Sequence, residues 1–362
     1  MKPIRVLHVT SETVSNNFLN TLADATDPAE VDYSFLTFGP TGGFVEALSS
    51  RGRRTIALNT TARLPLAALS RILKQENPDI VNTHLFHPTL ATVMVAKRPV
   101  VLTRHHSDAH HRLPAMKRAF YLRLEHYINS KVEHIIAPAQ MVRDVLVDWE
   151  GVPADKVTVI PYGQSTARFE GITPAELPMK RGLALVCVSR LFHRKGHQYL
   201  FEAFAQLTRE GLDATLYLVG TGDYRPQLEA LAAQLGIADR VQFLGWRSDA
   251  LQIIAAADVL VHPSLEDALS QALIEALMLG VPIVATDISG ASDTLGGGQY
   301  GKLVPPADAN AFRDALRDTI ANLPAARENA AQGRAYLLDY MSAERVAAAY
   351  AQVYRAIMNT DA

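Results

Sequence analysis

The sequence predicts an α/β protein of two Rossmann-like, doubly wound domains facing each other across a cleft. Three observations carry this expectation. Short apolar runs of strand length alternate with stretches of helical periodicity, the pattern of right-handed βαβ units on a parallel sheet. The alternation stops in a proline-containing, weakly periodic segment at 161–182 and then restarts. The chain's 362 residues also exceed the roughly 250–300 at which a single core stops growing.

In chain order, strands are expected at 3–10, 31–38, 54–58, 79–83, 99–103, 133–137 and 157–161. Helical patterns lie between them, among them 64–75, 87–96, 113–130 and 140–150. After the linker, strands are expected at 183–189, 214–219, 240–244, 257–262 and 281–286, with helices at 196–210, 223–235, 248–256 and 269–279. Three helices near 308–322, 325–338 and 343–358 close the chain. A first domain at 1–170, a second at 171–340 and a terminal segment at 341–362 follow.

Composition narrows the function classes. A net charge of −2 gives no overall pull toward nucleic acid, so any basic patch must be local. The single cysteine, Cys187, lies in an apolar strand and reads as a small core residue; no internal disulfide can form, which suits a reducing cytosol. The N-terminal residues are too polar for a signal peptide, and no run reaches the roughly 18 apolar residues of a membrane span. A cytoplasmic protein is expected, at most peripheral to the inner face of the cell membrane.

The stretch 258–287 organises the rest. Two apolar runs, Val259-Leu-Val261 and Val281-Pro-Ile-Val-Ala285, read as buried parallel strands around an acidic turn and a helix closed by Gly280 and Pro282. The carboxylates therefore stand at the carboxyl edge of a strand, where open α/β sheets bind ligands. The helix start at Ser270, Gln271 and Ala272 offers free N–H groups to a phosphate. Carboxylates beside a phosphate seat would repel it, so they are expected to accept hydrogen bonds from hydroxyls. A ligand with phosphates and many hydroxyls is a nucleotide sugar.

The pattern Pro263-Ser264-x-x-Asp267-x7-Glu275-Ala276-x3-Gly280-x-Pro282 resembles the donor-site signature of the retaining, GT-B glycosyltransferases of family 4, in which two Glu residues are separated by seven others. The resemblance implies the GT-B fold, with the last helix crossing back onto the first domain. It implies transfer of a sugar from a UDP- or GDP-sugar to a glycan or glycolipid acceptor, with the nucleotide sugar as co-substrate and no further cofactor. Arg190-x4-Lys195-Gly196 looks like the family's diphosphate grip, and no Asp-x-Asp metal signature stands at a strand end. By themselves Arg190 and Lys195 also fit a solvated basic turn before a helix. Glu275, in an otherwise apolar helix, needs partners; the family's matching Glu accepts from the ribose. The first acid departs from the pattern: Asp267 stands where Glu is usual, with Glu266 as the alternative one residue earlier. Asp reaches about 1 to 1.5 Å less far, which leaves the donor sugar open. Ala268 and Ser270 stand where Gly is usual.

Other positions follow from the same resemblance. Gly220-x-Gly222 matches a family Gly-x-Gly that brings backbone close to the nucleotide, and equally fits a tight turn. Trp246 and Arg247 occupy the place of a base-binding loop. In the first domain the loop at 10–17, with Ser15 and Asn16 as candidates on the acceptor or sugar side, lacks the family's Gly-Gly pair. Thr103-Arg104-His105-His106-Ser107-Asp108 resembles a Thr-x-His-Asp motif whose His lies beside the transferred sugar, with His105 first and His106 second. The same histidines with His110 and His111 also fit a zinc cluster, although cysteine and well-spaced carboxylate ligands are missing. His84 and His87 read as residues of a helix start. The helix at 113–131 mixes Lys117, Arg118 and Arg123 with aromatics. It fits contact with an anionic membrane or a core-facing helix with a solvated basic side. A catalytically silent binder of nucleotide sugar or a protein partner, or a nucleotide-sugar epimerase on this fold, are the competing classes.

Overall fold

The computed structural model describes residues 2–13, 17–105, 113–164, 166–267 and 269–360. They form two compact units, 1–165 with 341–362 and 166–340.

The first unit is built on a seven-stranded sheet: β1 (Ile4–Thr10), β2 (Val31–Thr37), β3 (Arg54–Ala57), β4 (Ile80–His84), β5 (Val100–Thr103), β6 (His134–Ala137) and β7 (Val157–Val159). The spatial order is β3-β2-β1-β4-β5-β6-β7, and every pairing is parallel. The order reverses between β1 and β4, which is where such sheets bind ligands. Alternation along β1 explains its two apolar faces. Val6 joins Phe35 and Ile80 beneath the helices Asn17–Ala25 and Ala343–Thr360. Leu7 and Val9 join Leu36 and Val81 under Leu69 and Ala91 from the opposite layer.

The last helix thus belongs to the first unit, as the GT-B resemblance implies. Its buried Val346, Ala347, Tyr350, Ala351 and Tyr354 recur at helical spacing. The Asn82 side chain donates to the Tyr354 hydroxyl at 2.7 Å, and Thr103 Oγ1 donates to Asn82 at 3.0 Å. These polar contacts fix the helix over β4 and β5 while satisfying groups that burial would otherwise strand.

The second unit holds β8 (Leu183–Val188), β9 (Ala214–Val219), β10 (Val241–Gly245), β11 (Val259–His262), β12 (Ile283–Thr286) and β13 (Lys302–Val304). The order β10-β9-β8-β11-β12-β13 repeats the first six positions of the other sheet, with its own reversal between β8 and β11. Every residue of β9, β11 and β12 is buried, because helices cover both faces. Cys187 lies in this core, and burial pushes its thiol up to about 12, which makes it inert.

The sequence reading names all seven strands of the first sheet and five of the six in the second. β13 escapes it because three residues between a glycine cluster and Pro305 carry no readable period. The short helix Ser289–Thr294 is also additional, and the gaps between the first three strands hold the helices Asn17–Ala25 and Gly43–Ser49. The helix expected at 140–150 is α-helical over Gln140–Asp144 and continues as one π-helical turn, Val145–Trp149.

Candidate active site

Loops after β8, β9 and β11 meet at the carboxyl edge of the second sheet. The backbone laces them together. Leu191 N–H donates to Thr221 O, Tyr224 N–H to Leu191 O, and Leu265 N–H to Arg194 O, at 2.9 to 3.1 Å. Gly220 and Gly222 permit this approach. A Cβ would lie 2.1 Å from Ser189 O at the first and 2.1 Å from Leu191 O at the second. The Gly-x-Gly is therefore required by the close packing of loop against loop.

Across the β8/β11 reversal, Lys195 Nζ meets Asp267 Oδ2 at 2.6 Å. His262, the last residue of β11, is buried with Nε2 3.7 Å from the same oxygen. Burial alone would raise the Asp267 carboxyl, but the His262 imidazole and the Lys195 ammonium outweigh it and hold the group below its ordinary value. His262 is pushed down, mainly by burial, so it is neutral beside an ionised Asp267. His197 is buried too, hydrogen-bonds Ser189 Oγ at 3.0 Å, and is driven to about 3 mainly by burial, with the nearby Lys195 ammonium acting in the same direction. Arg190 is exposed, lies 5.0 Å over the Phe192 ring, and has no carboxylate partner among the described residues. Glu266 stands 3.8 Å from Arg194, so the two adjacent acids face different cations of one turn.

The helix Gln271–Met278 begins beside this cluster. Its N-cap, Ser270, is buried and makes no side-chain cap hydrogen bond to the first-turn N–H groups. Gln271 is exposed and Ala272 buried. On the next turn Glu275 is buried, and Arg168 Nη2 donates to its Oε1 at 2.5 Å. Burial raises the Glu275 carboxyl, and Arg168 only partly offsets that. Trp246 is 75% exposed after β10, a free apolar platform. Arg247 is engaged with Asp249 through two contacts of 2.7 and 2.5 Å.

At the carboxyl edge of the first sheet, three histidines and a tyrosine form a ribbon. His8 Nδ1 lies 2.8 Å from His84 Nε2, His84 Nδ1 lies 2.9 Å from His105 Nε2, and His105 Nδ1 lies 2.7 Å from the Tyr162 hydroxyl. Adjacent histidine rings are 5.1 Å apart and nearly parallel. A hydrogen bond plus two ring radii accounts for that separation, so the rings lie edge to edge. Each link needs one donor and one acceptor, so the tautomers are set collectively. Both ring nitrogens of His105 are thereby occupied. Burial pushes His8 down to about 3, and His84 well below its ordinary value. Beside the ribbon, buried Arg104 binds Glu125 at 2.9 Å and Glu150 at 2.7 Å, which anchors the helix Ala115–Lys131.

The structure therefore gathers Arg190, Lys195, Asp267, Ser270 and Glu275 with the two glycines in one unit, and places His105 in the other. Ser15, Asn16, His106, His110 and His111 lie outside the described residues. Among the described residues, no group of three or more His, Cys, Asp or Glu is placed to hold a metal. No described helix is long and apolar enough to cross a membrane. On the helix Ala115–Lys131, Met116 is 86% and Phe120 59% exposed among Lys117, Arg118 and Arg123, whereas only Glu125, Ile128 and Asn129 are buried. Sequence reasoning missed Arg168, His262, His197 and His8. Histidines within the apolar runs of β1 and β11 were a signal, since a buried imidazole needs partners; Arg168 in the linker gave none.

Comparisons with known proteins show the family. The family model for glycosyl transferases group 1 matches residues 182–322, and that for glycosyltransferase family 4 matches residues 15–168. The chain belongs to this family of GT-B glycosyltransferases and is a hexosyltransferase. It is 26% identical over 341 residues to the lipopolysaccharide core biosynthesis glycosyltransferase LpsE of Rhizobium meliloti, covering 87% of this chain and 96% of that one. It is 28% identical over 318 residues to a GDP-mannose-dependent phosphatidylinositol monomannoside mannosyltransferase of Mycolicibacterium smegmatis, covering 81% and 82%. The Anabaena protein HepE in complex with UDP shares the fold at a TM-score of 0.80 and 21% identity, covering 98% of this chain and 100% of that one.

The neutral ribbon makes the first unit acid-sensitive. His8 has a folded value of about 3 against an ordinary 6.5, so the unfolded chain binds the extra proton. Its stabilisation is complete above about 6.5 and lost as the pH falls toward 3. Between about pH 7.5 and pH 5 it loses roughly 2 kcal/mol. Urea unfolding across that range is expected to show a smaller loss for His8→Phe than for wild type; equal losses would contradict the assignment.

Proposed function

We propose that this glycosyltransferase is retaining and metal-independent and takes its sugar from a UDP- or GDP-sugar, with no cofactor beyond that co-substrate. The observation that carries the reading is Arg190 and Lys195 standing with Asp267 at the β8/β11 reversal, beside a helix start with no side-chain cap. The donor diphosphate would take Arg190, Lys195 and the first-turn N–H groups of Ser270, Gln271 and Ala272. Fixed charges of this kind stabilise a leaving diphosphate without reorganising during the reaction. Glu275 would accept from the ribose and Asp267 from hydroxyls of the sugar. Trp246 offers the base a platform.

No described residue stands out as a covalent nucleophile, and the family's same-face substitution suits the arrangement. The anomeric carbon–oxygen bond to phosphate breaks, the acceptor oxygen bonds the same face, and its proton passes to the leaving phosphate. His105 retains its assignment beside the transferred sugar by resemblance. Contact through its ring would require exchange of the Tyr162 or His84 hydrogen bond for one to a sugar hydroxyl. The acceptor is a glycan or a lipid-linked glycan of polysaccharide or glycolipid assembly. For a lipid-linked acceptor, the exposed Met116 and Phe120 among cations give the helix Ala115–Lys131 the chemistry of a surface for anionic lipid.

Thermal shift with UDP, GDP, ADP and their common sugars tests the donor site. One nucleotide is expected to stabilise the wild type and not Arg190→Ala; no shift with any of them would overturn the assignment. Asp267→Ala is expected to abolish transfer and Glu266→Ala to preserve it, and equal activities would defeat the choice of Asp267. Lys117→Glu with Arg123→Glu is expected to weaken binding to anionic vesicles, and unchanged binding would dispose of the membrane contact.

A further inference from the structure

Glu275 is a buried carboxylate on an apolar helix, and among the described residues only Arg168 hydrogen-bonds to it. Arg168 comes from the short 3-10 helix Thr166–Phe169, which opens the second unit. Phe169 is buried and pins that turn in place. The Arg168 guanidinium lies 5.6 Å over the Phe169 ring, which restricts its position. The arginine is about one-third exposed, while the Glu275 side chain is 10% exposed, so the ion pair reaches inward from the surface. Only Oε1 is engaged; Oε2 has no hydrogen-bond partner among the described residues.

We propose that Arg168 is a positioning residue for Glu275, setting the rotamer and charge with which that carboxylate reads the hydroxyls of the donor ribose. The proposal rests on the reading of Glu275 as the ribose acceptor. The physical need is plain. A carboxylate able to accept two hydroxyls must be ionised and held in one orientation. Burial works against ionisation here. A guanidinium on Oε1 favours the ionised form and restricts the carboxylate's orientation, which leaves Oε2 for the ligand. An arginine reaches this point without burying its own charge, since its outer edge stays in solvent.

The test is the ratio of affinities for a nucleoside diphosphate and its 2′,3′-dideoxy counterpart, measured calorimetrically with UDP and with GDP. Wild type is expected to prefer the ribose form about tenfold or more, as hydrogen bonds to a charged acceptor do. In Arg168→Met that preference is expected to shrink at least about fivefold, with Arg168→Lys recovering much of it. A merely structural arginine would weaken both ligands alike and leave the ratio unchanged. That outcome in Arg168→Met, with the ratio lost in Glu275→Gln, would overturn the proposal and leave the ribose reading standing. An unchanged ratio in Glu275→Gln would overturn the ribose reading and the proposal together. Arg168→Gln supplies a second neutral side chain, so the comparison holds if the Met variant does not fold.

Discussion

The carboxyl edge of the second sheet depends on the contact between Lys195 and Asp267. The two residues belong to loops that leave adjacent strands in opposite topological directions, so nothing in the sheet itself would keep them together. Removing both charges from water is costly, and the contact recovers that cost only with good geometry and further polar partners. The 2.6 Å distance supplies the geometry, His262 Nε2 lies 3.7 Å from the same carboxylate oxygen, and the laced backbone of residues 189–224 holds the loop that carries Lys195. A phosphate entering here meets a cation already desolvated and fixed. Such preorganisation makes electrostatic stabilisation effective during a reaction.

The first sheet meets a similar constraint by different means. Instead of charges, its switch-point edge carries neutral imidazoles joined edge to edge, with one nitrogen of each link donating and the other accepting. A ribbon of this kind tolerates burial because it carries no net charge. It also ties His105 to β1 and β4, far beyond the reach of its own loop. The hydroxyls of Tyr350 and Tyr354 complete the polar layer from the returning helix, so residues at the end of the chain order the edge built at its start.

Most of the fold was legible because its physical cause is periodic. Buried parallel strands such as Ala214–Val219 and Val259–His262 are short, apolar and separated by amphipathic helices, and that alternation can be read directly. The three-residue β13 and the π-helical turn at 145–149 depend on packing and carry no period. Arg190, Lys195, Asp267 and Glu275 were singled out because their motifs resemble a family signature, and the structure gathers all four in the second unit. The glycines at 220 and 222 were read as serving either an approach to nucleotide or a tight turn, and the structure adds a close approach to neighbouring loop backbone. Arg168 and the partners of His105 were hidden because they are distant in sequence and meet only through the fold.

The most direct test is a crystal structure of the chain with its bound nucleoside diphosphate. The account requires diphosphate oxygens within hydrogen-bond distance of Arg190 and Lys195, over the helix start at Ser270, with a ribose hydroxyl on Glu275. A nucleotide bound away from Arg190 and Lys195, with Glu275 facing no hydroxyl, would contradict it.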